Sequence, residues 1–259
     1  MRGRFILLMT LVLALSACGD SSSSNKTASG AKQASDDAAT TLPPAKAPIT
    51  KPPKHVSPRA AAAVADATYV AATGNTKAKA PAVVLLPDTG AKTLAEKEAG
   101  RLAQLGVASI VVEGPAAAPK NARAFDDAVT AVRLALAKLR KRPDVDPERI
   151  GFIGEGVGAH VGAVVLGHEK GAVPAAVLAN IGGEVVPSRV YAPARWLERA
   201  NGTHLLFQRD SAKRAMTQAE IRRLLLAAPP GTIMQQYKRL GANAQVARDG
   251  WIKSQLLAY

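Results

Sequence analysis

The stretch richest in chemical groups runs from Arg149 to His160, where the apolar Ile150-Gly-Phe-Ile153 leads into Gly154-Glu155-Gly156-Val157-Gly158-Ala159. A glycine-rich turn between a strand and a helix offers backbone amides to an anion, because the first amides of a helix have no partner within it. Gly154 to Ala159 also satisfies Gly-x-Gly-x-x-Gly/Ala, the spacing that lets a backbone approach a dinucleotide pyrophosphate. Against that use, the turn follows several strand candidates instead of opening the first βαβ unit, and the next strand ends at Ala179-Asn180 without an acid to hold a ribose. A nucleotide- or anion-binding turn is therefore kept as an alternative. Asp88, Glu113 and Glu155 each follow an apolar run, so they are expected on one rim, where they would suit a cation or an amine. Solvated loop acids are the plainer reading of the same three residues. His160 lies about one helical turn beyond Gly156, within reach of such a rim. A core histidine bonded near the sheet is the plainer reading there; His168 and His204 read as surface and strand-edge residues.

The elements that must position these groups alternate in type. Strand candidates are Thr68 to Ala72, Ala82 to Leu86, Val107 to Val112, Ile150 to Ile153, Ala175 to Ala179, Leu205 to Phe207 and Ile233 to Tyr237. Thr93 with Glu96 has the form of a capping box opening a helix that Gly106 closes, and Thr217 with Glu220 repeats the device before Ile221 and Leu224. Phe125, Val129, Val132, Leu136 and Leu139 fall at helical spacing and predict an apolar stripe on a helix that stops before Pro143. Strand and helix in alternation predict an α/β fold, a mainly parallel sheet with helices on both faces. Sites in such sheets gather at the strands' carboxyl ends.

The segment Arg149 to His160 resembles the nucleophile elbow of the α/β-hydrolase superfamily, particularly its dienelactone-hydrolase and peptidase-like members. Ala82 to Gly90 resembles its first core strand and oxyanion loop, and Asp144 to Ile150 the approach to the elbow. Leu205 to Asp210 resembles the acid-bearing strand, and Tyr237 to Asn243 the histidine loop. The resemblance implies a three-layer sandwich and hydrolysis of ester, lactone or peptide bonds.

The working groups that the resemblance calls for are missing. The elbow pattern is Gly-x-Ser-x-Gly, and Gly156 stands at the serine position. Glycine adopts the strained turn at no cost, so this residue keeps the turn and removes the nucleophile. The acid is expected at Ser211 or Ala212, with Asp210 slightly early, and the histidine at Ala242 or Asn243; no histidine follows His204. His-Gly after the first core strand is replaced by Pro87-Asp88, and an acid there opposes the negative charge that acyl transfer develops. The expectation is a catalytically silent hydrolase fold with a binding set of Asp88, Thr89, Glu155, Gly156, Val157 and His160. An active hydrolase of unusual design, using Ser211 or a water activated by His160 with Asp88 or Glu155, is the second reading. No cofactor and no metal are implied.

The amino-terminal end carries an address. Arg2 and Arg4, the apolar run Phe5 to Leu15, and Leu15-Ser16-Ala17-Cys18 describe a secretory signal at residues 1–17. Cysteine directly after Leu-Ser-Ala resembles the lipobox of bacterial lipoproteins, which implies a lipid on Cys18. Gly19, not aspartate, follows, and by resemblance to enterobacterial sorting favours the outer membrane facing the periplasm over the inner membrane. Cys18 is the only cysteine, so no internal disulfide and no thiol nucleophile is available. Residues 18–65 hold Ser, Ala, Lys, Thr and Pro with few large apolar residues, which predicts a disordered basic tether before a domain at 66–259. The formal charge of +14 becomes +12 without Arg2 and Arg4. Beyond the membrane this charge suits an anionic envelope polymer, a lipid headgroup or a partner protein, and export argues against nucleic acid.

Overall fold

The computed structural model describes residues 53, 55–74, 78–114, 121–182, 189–212 and 216–258. Residues 1–17, Cys18 and the tether up to residue 52 lie outside them. Among the described residues seven strands form one sheet: β1 (Thr68–Val70), β2 (Ala80–Leu86), β3 (Ala108–Val111), β4 (Val145–Glu155), β5 (Ala175–Ala179), β6 (His204–Asp210) and β7 (Ile233–Tyr237). Their spatial order is β1-β3-β2-β4-β5-β6-β7, and only the short β1, paired to β3, runs antiparallel. The helices are α1 (Pro58–Ala65), α2 (Lys92–Gln104), α3 (Ala122–Arg140), α4 (Val157–Glu169), α5 (Pro193–Leu197), α6 (Gln218–Ala227) and α7 (Ala242–Leu257).

The apolar runs explain the three layers. Alternate residues of one strand point to opposite faces, so Val84 and Leu86 join the core under α1, α3, α4, α5 and α6. Val83 and Leu85 join the smaller core under α2 and α7. The α3 stripe is buried as its spacing predicts, from Phe125 to Leu139. Helix α4 is buried almost all round, which fits a helix lying against the middle of the sheet. Its end is held by Glu169, 2% exposed, which accepts from Arg133 at 2.9 Å and from Arg140 at 3.3 Å.

All seven strand candidates are strands; β1 and β3 are shorter than predicted, and β2, β4 and β6 are longer. β4 begins at Val145 because Arg149 reaches Asp146 at 2.8 Å and the Lys79 carbonyl at 2.9 Å, bonds between polar residues that carry no hydrophobic signal. β6 continues through Gln208, whose buried amide donates to Gln235 and to the Ala244 carbonyl. The Thr217–Glu220 capping box is formed. The Thr93–Glu96 box is not: α2 starts at Lys92 with Ala91 as an N-cap that offers no side-chain bond, and Glu96 instead accepts from Thr68. Gly106, at φ +81°, closes α2 as expected.

The tether boundary needs a larger correction. Residues 58–65, read from composition as its end, form α1 and belong to the fold. Ser57 caps the helix by accepting from the Ala60 amide at 3.1 Å, and its hydroxyl donates to Asp127 at 2.6 Å. Ala60 and Val64 are buried against α3, and Lys138 donates to the Val64 carbonyl at 3.1 Å. Small residues made the segment look unable to bury surface; alanine is what allows α1 to lie close to α3. A chain beginning at Asp66 is expected to be less stable than one beginning at His55 by roughly 2–4 kcal/mol, read as a lower urea midpoint. Equal midpoints in a urea titration followed by circular dichroism would show α1 to be dispensable.

Candidate functional site

β2 and β4 are neighbours, and their carboxyl ends bring Asp88 over the turn at Gly156. Gly156 has φ 55° and ψ −117°, a conformation that L side chains rarely adopt. The turn is therefore the strained strand-to-helix elbow, built with the residue that bears no strain. A Cβ added at Gly156 would overlap the Asp88 carboxyl carbon and both of its oxygens. The Asp88 carboxylate thus occupies the volume that a nucleophile's side chain would enter.

The same carboxylate takes up the amides that an acyl-transfer site needs. Asp88 Oδ1 accepts from the Thr89 amide at 2.9 Å and from the Val157 amide at 3.2 Å. Those positions, the amide after the elbow residue and one from the loop after the first core strand, are where an oxyanion hole is assembled. Here the Asp88 carboxylate fills it. A negative charge at the first turn of α4 also suits the helix dipole, so the arrangement is stabilising where an open hole would not be. Gly158 is needed for packing, since a Cβ there would overlap the Leu86 carbonyl oxygen. Helix and strand approach closely at the Gly154–Ala159 turn, whose Val157 amide already has an internal acceptor.

The remaining sequence-selected residues do not converge on the elbow. His160 is 0% exposed and its Nε2 lies 2.7 Å from the Tyr191 carbonyl oxygen, with Phe125 edge-on to the ring at 5.3 Å. It is a core residue on the α3 side. Asp210 is 7% exposed; it accepts from the Ala212 amide at 2.9 Å and, at 3.5 Å, from the Leu240 amide in the loop before α7. That loop, Lys238 to Gly241, occupies the place of the histidine loop, so the acid holds backbone where a histidine would stand. Ser211 is half-buried, its amide donating to the Tyr237 carbonyl at 2.8 Å. The expected cation rim of Asp88, Glu113 and Glu155 is not formed. Glu113 is exposed and pairs with Lys92 at 3.6 Å, Asp88 is committed to amides, and Glu155 faces a different cavity. Among the described residues no group of three or more His, Cys, Asp or Glu side chains is placed to hold a metal ion.

A group of charges missed by the sequence reading lies beside the elbow on the α2/α7 face. Glu98 and Arg248, 8% and 3% exposed, form an ion pair across α2 and α7, and Arg101 pairs with buried Asp249 at 3.1 Å. Burial pushes the Glu98 carboxyl up to about 7, against the opposing pull of Arg248. These residues are some 150 positions apart in the chain and look like ordinary solvated helix charges, so spacing alone gives no signal of their meeting. Among the described residues no helix is long and apolar enough to cross a membrane.

No family model and no curated protein matches the chain. Solved structures do. Est1E from Butyrivibrio proteoclasticus aligns with TM-score 0.58 at 11% identity, covering 74% of this chain and 94% of its own. A Bacillus cereus carboxylesterase gives 0.55 at 17% identity, with 74% and 94% covered. An acetyl xylan esterase from Paenibacillus sp. R4 gives 0.60 at 12% identity, with 73% and 79% covered. With the seven-stranded sheet, these likenesses show that the chain has the α/β-hydrolase fold.

Two outcomes are expected from this geometry. Gly156→Ser in the natural background should cost about 3 kcal/mol or more, combining backbone strain with the clash on Asp88. In an Asp88→Gly background the same change should cost at least about 1 kcal/mol less, read by a double-mutant cycle of urea unfolding; additive costs would mean that the two residues do not touch. Separately, Glu98 has a folded-state pKa above its usual value. The stability it contributes is complete below about pH 4.5 and is lost as the pH rises through about 7. The fall in unfolding midpoint across that window should be smaller in Glu98→Gln than in the natural protein, and equal falls would contradict the assignment.

Proposed function

We propose that this protein is a lipid-anchored envelope protein whose hydrolase-fold domain is catalytically silent and acts by binding. The observation that carries this reading is the Asp88 carboxylate, which accepts from the Thr89 and Val157 amides and fills the space above Gly156. An acyl-transfer enzyme needs those amides free for a developing oxyanion, a nucleophile at the elbow and a base to activate it. In this chain the amides are bonded to a carboxylate, the nucleophile position is glycine, and His160 is held in the core against the Tyr191 carbonyl. The loss of all three parts with the fold intact favours retention of the scaffold for recognition.

The anchoring half of the reading rests on the sequence Leu15-Ser16-Ala17-Cys18 and on the basic, proline-rich stretch that follows. A lipid on Cys18 would hold the domain at a membrane surface, with outer membrane facing the periplasm the favoured address, and the basic tether would lie near anionic headgroups. The surface recognised is an envelope component or a partner protein.

Purified protein is expected to take up no label from a fluorophosphonate probe and to release no product from p-nitrophenyl acetate above the uncatalysed rate. Turnover that disappears on substitution of Asp88 or Glu155 would overturn the silent-domain reading. Mass spectrometry of the membrane-extracted protein is expected to find a diacylglyceryl group on an amino-terminal Cys18, and a free amino-terminal cysteine would overturn the anchor.

A further inference from the structure

We propose that the groove between α5 and α6 is a second membrane contact, where arginines bind the phosphates of anionic phospholipid and two leucines enter the headgroup layer. This rests on the reading of the protein as lipid-anchored and names the surface that meets the membrane. The groove is open and holds about 830 Å³. Arg195 of α5 and Arg222 and Arg223 of α6 line it with one acid, Glu198, and with Leu226; the rest of the lining is alanine. The three arginine side chains are exposed, and their guanidinium groups make no hydrogen bond or ion pair among the described residues. The Glu220 carboxylate, which Arg223 attracts through space, is already held by the capping box at Thr217.

Helix α6 faces two environments. Ile221 and Leu224 are buried against the domain, while Arg222, Arg223, Leu225 and Leu226 fall on the opposite arc and are all exposed, Leu226 by 78%. Apolar side chains left in water beside cations are the pattern of an element lying in a membrane interface, with cations at the phosphates and leucines at the edge of the acyl layer. Arginine suits phosphate because its planar fork donates two hydrogen bonds at once. Charge then selects among occupants. Without Arg2 and Arg4 the formal charge of +14 is still +12, so a second copy, or the chain's own basic tether, would bring the same sign to the groove. An acidic protein would need a pocket matched to both leucines, whereas a bilayer receives them without one. The covalent reach agrees. Residues 19–52 separate Cys18 from the first described residue, which keeps the domain within roughly 120 Å of a lipid on Cys18 even at full extension. A weak contact suffices at a surface held that close, because the second binding event is intramolecular.

The test is vesicle flotation of the full chain after signal removal, with Cys18→Ser so that no lipid is attached. Vesicles of phosphatidylglycerol with phosphatidylethanolamine are compared with phosphatidylcholine vesicles at about 0.1 M salt. Binding to the anionic vesicles is expected, with little to phosphatidylcholine. Each cation at an anionic surface is worth about fivefold in partitioning, so Arg222→Glu with Arg223→Glu should weaken binding about twentyfold or more. Lys97→Glu with Lys238→Glu changes the charge equally at exposed sites outside the groove and should weaken it less than about threefold. The tether is present in both, so its own attraction cancels. Leu226→Ser leaves the charge alone and, at so exposed a position, should fold normally while weakening binding about threefold or more. Absence of binding to the anionic vesicles, equal losses in the two charge-reversed pairs, or unchanged binding in Leu226→Ser would overturn the proposal. So would a polyglutamate peptide that binds through Arg222 and Arg223 while vesicles do not, since the occupant would then be an acidic protein. A free Cys18 in the natural protein would instead overturn the anchor and leave vesicle binding by the groove standing, which separates the two failures.

Discussion

The site region depends on one contact, the Asp88 carboxylate seated on the first turn of α4. It ties β2 to the elbow after β4, gives the Thr89 and Val157 amides an acceptor, and requires that residue 156 have no side chain. Each part makes the others necessary. A serine at 156 would meet the carboxylate, and an open oxyanion hole would leave two amides without a partner. The elbow in this chain is thus a closed structural joint, with the backbone path of an active site and a charge of the wrong sign at its centre for acyl transfer.

Asp210 shows the same conversion on the neighbouring rim. At the end of β6 it bonds the Ala212 and Leu240 amides, holding the loop before α7 in place without a histidine. The scaffold keeps the catalytic topology while its acids act as fasteners. To one side of the elbow, on the α2/α7 face, Glu98 and Arg248 are paired at high desolvation cost. Buried charge of this kind is weak as a source of stability, because pairing in low dielectric barely offsets desolvation.

Much of the fold was legible because period and turn chemistry agreed. Alternating apolar runs placed every strand, and the α3 stripe from Phe125 to Leu139 and the Thr217–Glu220 cap were formed as predicted. Signals failed where the stabilising partner is distant in sequence. The polar start of β4 depends on Arg149 reaching Lys79, Gln208 extends β6 by bonding Ala244, and α1 forms because α3 offers it a surface. At the site, glycine at 156 and an acid at 88 could be read directly as damage to a hydrolase motif. That Asp88 fills the hole, and does not merely stand near it, needed three-dimensional geometry. The Glu98–Arg248 pair was invisible for the same reason, since each residue alone resembles a solvated helix charge.

The most direct measurement is the nuclear magnetic resonance position of the Thr89 and Val157 amide protons, compared between the natural protein and Asp88→Ala. If the Asp88 carboxylate accepts from both, both resonances move upfield together when it is removed. Resonances that are indifferent to Asp88→Ala would mean that the hole is open and that the domain has not been silenced in this way.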